Sequence, residues 1–474
     1  MFGENYWDND DMSDGSIENL MLLFHKIKAG DHTRLLTEEE FEILIDFFYQ
    51  EDDGISAIEA CELAEQFYPY SPNIFILKAE ILFHMQKFGQ ALLALDKYDQ
   101  LEFQSIDSII LRSDILKAKE QYNEAIGLLK FKLDLFEGKD RINLLLELSE
   151  IYDEIEDYKK VFYVLEEILF LDYKNEDALH KISFWTSFLE LYDESIKIHQ
   201  YIVNEDPYNS IAWFNLGTAF QGKRQYLEAI DAYEFCLVID DKFEFAYRNI
   251  ADAYIRLKQY KKAINSLKKH IDLGVEEDVV FEALGLCYEK LGNFESARQY
   301  YLLASHLDPE DENLYYKIGS LYAKEGKWDA ALKHYEHALV INNKHLKSLQ
   351  GVGIALLEME DFETGFAFLK KATSIKVKNI TPWILYLKRL IQLELYETAQ
   401  EAIEEAFYYL GENIDLMYLN AVIHFGLGNT KEAMLLLENA LSLDAKKSKS
   451  IFALMPELSK RNSVINLIGK YKKH

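Results

Sequence analysis

Residues 213–240 read WFNLGTAFQGKRQYLEAIDAYEFCLVID. The pattern is two short amphipathic helices joined by a tight turn. Leu216, Gly217 and Phe220 mark the first helix; Ala229, Tyr233 and Cys236 mark the second. Stepping forward from Ala229, a small residue returns at Ala263, Ala297, Ala331, Gly365, Ala399 and Ala433, each 34 residues on. Stepping back, the register runs through Ser195, Val161, Ala125, Ala91 and Ala57, with one step of 36 between 125 and 161. A fixed period of this size is the signature of a repeat array.

Each recurring residue has a mechanical reason. A small side chain at the Ala229 position lets the two helices of a hairpin approach, and Gly217 meets it from the other helix. Glycine recurs at that second position as Gly285, Gly319 and Gly353. Phe220, Tyr254, Tyr288 and Tyr322 follow three residues later on the same helical face, as core aromatics. Gly292, Gly326 and Gly428 fall in the turn between helices, where a positive φ is needed. Pro69, Pro207 and Pro309 share a register at the link between hairpins, where a helix must stop. One hairpin cannot bury its apolar face alone, so neighbours must stack.

On these residues the chain resembles the tetratricopeptide repeat family. The match runs through Trp213, Leu216, Gly217, Phe220, Ala229, Tyr233 and Cys236, and again through Phe281, Leu284, Gly285, Tyr288, Ala297, Tyr301, Ala304 and Pro309. The resemblance implies an all-α fold: an α-solenoid of about twelve helix-turn-helix repeats over residues 38–447, forming a right-handed superhelix. Outside it we expect an acidic tail at 1–15, a capping helix at 16–37 and capping helices at 448–474. The extra two residues fall in 132–141, KLDLFEGKDR, where a small change of twist is expected. The N-terminal helix should present Leu20, Leu23, Phe24 and Ile27; the C-terminal element should use Leu454, Leu458, Leu467 and Tyr471, interrupted at Pro456.

The formal charge of −30 is unevenly spread: residues 1–200 hold 43 acids and 18 bases, a net of −25, which leaves −5 for the rest. Such a surface repels phosphates and anionic headgroups. It attracts basic partners, or serves solubility alone. Three widely spaced cysteines, Cys61, Cys236 and Cys287, give neither a disulfide framework nor zinc spacing, and fit a reducing compartment. No secretory leader and no membrane-length apolar run is present, so we expect a cytoplasmic protein with no membrane insertion. In the first fifteen residues, Phe2, Tyr6 and Trp7 sit among five acids and no base, either as a docking motif or packed on the first helix.

No nucleotide-binding loop, zinc-protease helix or serine elbow is found, so no enzyme, no cofactor and no nucleic-acid partner is expected. His334 and His337 share a helix face but lack further ligands in sequence. What remains is a binding surface. The resemblance implies that the first helix of each repeat, by its positions 2, 5, 9 and 12, lines a groove. In the N-terminal half those positions include Glu42, Asp46, Glu80, Asp107, Asp114, Glu150 and Asp153; later they include Arg248, Asp252, Tyr316 and Lys347, with Asn215, Asn249 and Lys317 beside them at position 6. The acidic half suits a basic segment of a partner, and Asn215 and Asn249 suit the backbone of an extended peptide, or else local backbone groups. A carboxylate clamp of the kind some family members carry is not supported, because Phe184 and Phe245 stand at two of its positions. The expected function is a non-enzymatic scaffold or adaptor that holds a protein or peptide segment. The alternatives are a peptide-responsive regulator, or an auxiliary subunit acting through its convex face or tail.

Overall fold

The computed structural model describes residues 14–472. Helices follow one another along the whole of this stretch, and no strand occurs among the described residues. From Glu38 the helices alternate in a fixed rhythm. The first of each pair, helix A, starts at position 1 of the 34-residue register, and the second, helix B, at position 17. Repeat 1 is Glu38–Gln50 with Gly54–Phe67, and repeat 6 is Ser210–Gly222 with Tyr226–Ile239. Repeat 12 is Ile414–Gly426 with Thr430–Asp444.

The turn between A and B is one device used twelve times. Its position 15 is left-handed in every repeat. Glycine fills it at Gly292, Gly326 and Gly428, with φ of 78°, 71° and 80°. Elsewhere a polar residue takes the same conformation: Asp52, Gln86, Glu120, Glu156, Glu190, Arg224, Lys258, Glu360 and Glu394, with φ between 56° and 66°. The turn geometry is therefore set by the packing of the hairpin, which overrides the cost of a β-carbon there.

Several helix starts are capped from side chains. Thr37 and Glu40 form a reciprocal capping box, and Asn175 and Asn209 accept from the backbone amides of Ala178 and Ala212 at 2.9 and 2.8 Å. Each such cap contributes about 1 kcal/mol. The two extra residues between repeats 3 and 4 are absorbed by helix A of repeat 4, Gly138–Glu154, which starts four residues before its register position. Arg141, inside that added turn, donates to the carbonyl of Leu133 at 2.9 Å and to Glu167 at 2.7 Å, tying the insertion to its neighbours.

The chain divides into two compact units, one ending at Ala246 and the other beginning at Tyr247. In the first unit the N-terminal helix, Asp14–Lys28, buries Phe24 and Ile27 against Phe41, Leu44, Phe48 and Ala57. Leu20 and Leu23 are only partly covered. Repeats 3 to 6 share a core of Leu129, Leu145, Phe162, Leu165, Ile182 and Ile198. In the second unit Ala263, Leu284, Tyr301 and Ile318 form one cluster, and Trp383, Leu387, Leu419 and Leu437 belong to a larger one. The C-terminal segment is a broken chain of short helices, Ala445–Ser448, Lys449–Leu454, Pro456–Lys460 and Asn462–Lys472. Its deepest side chains are Ile451, Leu458, Val464 and Ile468; the expected Leu454, Leu467 and Tyr471 pack around them, partly exposed. Pro456 opens the second of two short 3-10 helices, and the buried side chains of this segment lie one to three residues from the expected ones. Lys470 and the hydroxyl of Tyr471 both reach Glu438, each at 3.0 Å, and Lys447 reaches Asp415 at 2.8 Å, so those lysines are held by acids of repeat 12.

Phe2, Tyr6 and Trp7 lie outside the described residues. The three cysteines are buried, and desolvation pushes each thiol up to about 12, which leaves them inert hydrophobes. His334 stacks on Tyr322 at 5.5 Å and His337 packs on Tyr315 at 4.1 Å, so both rings are used in repeat packing.

Candidate functional site

In the first unit the A helices of repeats 1 to 4 place their acids in two different settings. Asp46, Glu80 and Asp107 belong to successive A helices and act on one another. Burial raises the carboxyl of Glu80 to about 7, with Asp107 and Asp46 adding like-charge repulsion. Burial also raises Asp46, and raises Asp107 with help from Asp140. The same acids, Glu80 and Asp46, push up the hydroxyl of Tyr49 after its own burial does. Glu80 has no hydrogen-bond or ion-pair partner among the described residues. Glu42, one turn before Asp46, accepts from the side-chain amide of Asn73 at 2.9 Å. A row of carboxylates thus runs across repeats 1 to 3 with no cation in it.

The next two expected acids stand differently. Asp114 and Glu150 both face Lys117, at 2.8 and 3.9 Å. Lys117 also pairs with Glu147 at 2.7 Å, and Glu147 accepts from the hydroxyl of Ser113 at 3.1 Å. Lys117 and Glu147 are both largely shielded from solvent. Here three carboxylates share one lysine, and the cluster joins helix A of repeat 3 to that of repeat 4. Sequence reading passed over Lys117 although it stands at position 12, one of the positions already assigned to the groove. Asp153 is exposed at the edge of the same helix.

Asn215 does not face outward. It is 3% exposed, and its amide donates to the carbonyl of Leu179 in the preceding A helix at 2.8 Å. The asparagine satisfies local backbone, so its expected role toward a bound peptide is corrected: the interior consumes the donor a peptide would need.

In the second unit the expected residues are interlocked. Arg248 donates to Glu277 at 2.7 Å, and Asp252 pairs with Arg256 at 3.4 Å. Lys317 pairs with Glu282 on the preceding A helix and lies over the ring of Tyr301. Tyr316 packs on Tyr335 at 5.7 Å and His345 at 5.8 Å, with burial and Glu289 raising its hydroxyl. Lys324 and the hydroxyl of Tyr301 both bind Glu289, at 2.7 and 3.0 Å. Arg389 and Glu358 pair at 3.2 Å. Asn249 is partly buried beside Arg248. Among the described residues, no group of three or more histidine, cysteine or acidic side chains is placed to hold a metal. No helix of the described chain is long and apolar enough to cross a membrane.

A stack of helical hairpins with a charged face on its A helices defines an α-helical repeat protein. The tetratricopeptide repeat models match residues 246–273 and 280–311, and a second model of the same description matches 314–347. The chain thus carries tetratricopeptide repeats, matched in its middle. No curated protein matches it. Among solved structures it is similar to YrrB, described as a TPR protein with an unusual peptide-binding site, at 23% identity over 40% of this chain and 95% of that one, with a TM-score of 0.36. It is similar to a tetratricopeptide repeat protein of Parabacteroides merdae at 16% identity over 52% and 97%, with a TM-score of 0.40. It is also similar to the APC/C hetero-tetramer Cut9–Hcn1 at 13% identity over 86% and 98%, with a TM-score of 0.34.

Proposed function

We propose that the chain is a non-enzymatic scaffold that holds a basic segment of a partner protein along the A helices of repeats 1 to 3. The single observation behind this reading is the row Asp46, Glu80 and Asp107, in which burial raises all three carboxyls, Asp107 and Asp46 add repulsion at Glu80, and no cation among the described residues pairs with any of them. The corresponding face of the second unit is already paired within itself, through Arg248–Glu277, Lys317–Glu282 and Lys324–Glu289. A lysine or arginine laid on the first row offsets the repulsion that Asp46 and Asp107 exert on Glu80 and favours its charged form. In the same reading, residues 38–447 form the repeat array between an N-terminal cap and a C-terminal cap, and the protein works in the cytoplasm.

The test is capture of partners from native lysate by the whole chain, beside the triple variant Asp46→Asn, Glu80→Gln, Asp107→Asn. We expect a basic partner that is lost in the variant and weakened as salt rises from about 50 to 200 mM, since exposed charge attraction is screened over that range. Capture that ignores both changes would move the working surface elsewhere.

A further inference from the structure

The stretch that decides the fold also builds a crevice on the other side of its hairpin. It lies between helix B of repeat 5 (Tyr192–Glu205) and both helices of repeat 6, and has a volume of about 450 Å³. Its residues include Gln200, Asn204, Trp213, Glu228, Asp231 and Phe235, over an apolar floor. No cation is among the residues that line it.

The aromatic wall is fixed in advance. The indole of Trp213 donates to the carbonyl of Pro207 at 2.9 Å, which sets the ring plane. Phe235 stacks on that ring, with centroids 4.6 Å apart and planes at 23°. Phe235 is nevertheless 53% exposed, so one face of the stacked pair is open to a ligand. The two carboxylates, Glu228 and Asp231, are exposed on the same helix and have no ion-pair or hydrogen-bond partner among the described residues.

We infer that this crevice binds an arginine side chain of a partner protein, together with the apolar residues that flank it. The guanidinium is planar and weakly hydrated, so it stacks on an aromatic face while its donors reach carboxylates. The stem of the side chain covers the apolar floor. The amides of Gln200 and Asn204 supply acceptors and donors for the segment's backbone. Charge and shape both select the occupant: two unpaired acids and a ring face, with no base to compete. The site does not depend on the acidic row of repeats 1 to 3.

The test uses the full chain and the peptide acetyl-Ala-Leu-Arg-Leu-Ala amide, beside the same peptide with citrulline for arginine. Citrulline keeps the plane and removes the charge. Binding is followed by calorimetry at about 150 mM salt, where diffuse attraction to an acidic protein is screened. We expect the arginine peptide to bind at least about fivefold more tightly than the citrulline peptide, the size of one cation–π contact with one charged pair. Glu228→Gln with Asp231→Asn should cut that difference to about twofold, the cation–π part, and Phe235→Ala should reduce it too, with the melting midpoint of the double variant unchanged. Equal binding of the two peptides, no binding of either, or a preference left undiminished in the double variant overturns the proposal. A preference lost instead with Glu80→Gln and Asp46→Asn assigns the peptide to the acidic row, and also overturns it.

Discussion

Gly217 faces the ring of Tyr233 so closely that a β-carbon on the glycine would stand 2.6 Å from it. The tyrosine is fully buried and donates through its hydroxyl to Gln221 at 2.9 Å. The absent side chain of one helix is thus the seat of a ring from the other. The same arrangement joins Gly285 to Tyr301. Gly217→Ala should therefore drive the ring out of its seat, at a cost of about 1–3 kcal/mol. Urea unfolding followed by helical signal checks this. The double change Gly217→Ala with Tyr233→Leu should recover part of the loss, since the smaller side chain gives way.

Glu80 predicts a pH signature. Its folded carboxyl sits near 7, above the ordinary 4.5. Between those values the unfolded chain has released its proton and the folded chain keeps it, so stability falls as pH rises from 4.5 to 7. Glu80→Gln removes the penalty. The variant should match the parent at pH 4 and gain on the order of 2 kcal/mol at pH 8. Melting midpoints of both proteins across that range decide it.

His199 gives the opposite sign. Its ring is buried, with one nitrogen 2.8 Å from the carbonyl of Ser195 and the other, Nε2, without a partner. Burial lowers it from 6.5 to about 4. The unfolded chain takes up a proton below 6.5 that the folded chain refuses until about 4, so stability present above 6.5 is lost as pH falls through that window. His199→Phe should flatten this acid limb and leave the region above pH 7 little changed. A limb that persists in the variant would assign acid sensitivity to other groups.

Lys117 should matter more than an ordinary surface lysine. Lys117→Met leaves Glu147 shielded from water without its counter-charge, at a cost of about 3 kcal/mol at pH 7. The cost should shrink toward pH 5 as Glu147, already raised by desolvation, takes a proton instead. A chemical-denaturation series at the two pH values separates this from simple loss of packing, which would not change with pH.

The left-handed turns can be relaxed. Glu360 holds φ at 66°, a conformation that a β-carbon resists. Glu360→Gly should be neutral or stabilising, by at most about 1 kcal/mol, because the relief of strain is partly offset by the greater freedom of glycine in the unfolded chain. A shift of the melting midpoint reads it out; marked destabilisation would show that the Glu360 side chain carries a contact of its own.

The sequence by itself determined the hairpin, its period and its interior. Ala229, Gly217, Tyr233 and their equivalents at 34-residue steps follow from the need to bring two helices together, a local requirement that leaves its mark at fixed spacing. The phase slip was visible too, as two surplus residues. Its resolution was not, because an added helical turn and a change of twist fit the same spacing; packing of Arg141 on Leu133 and Glu167 accompanies the turn. The acidic bias of the first half was legible as composition. Which acids stand together was decided only by the tertiary structure. Charges that look equal along the chain part ways once Lys117 gathers Asp114, Glu147 and Glu150 while Asp46, Glu80 and Asp107 are left with each other. Electrostatic energy depends on separation and on nearby water, and both are set across repeats. For the same reason Asn215, which sequence places beside the groove, belongs to the interior: its partner, Leu179, is 36 residues away in the chain and one helix away in space.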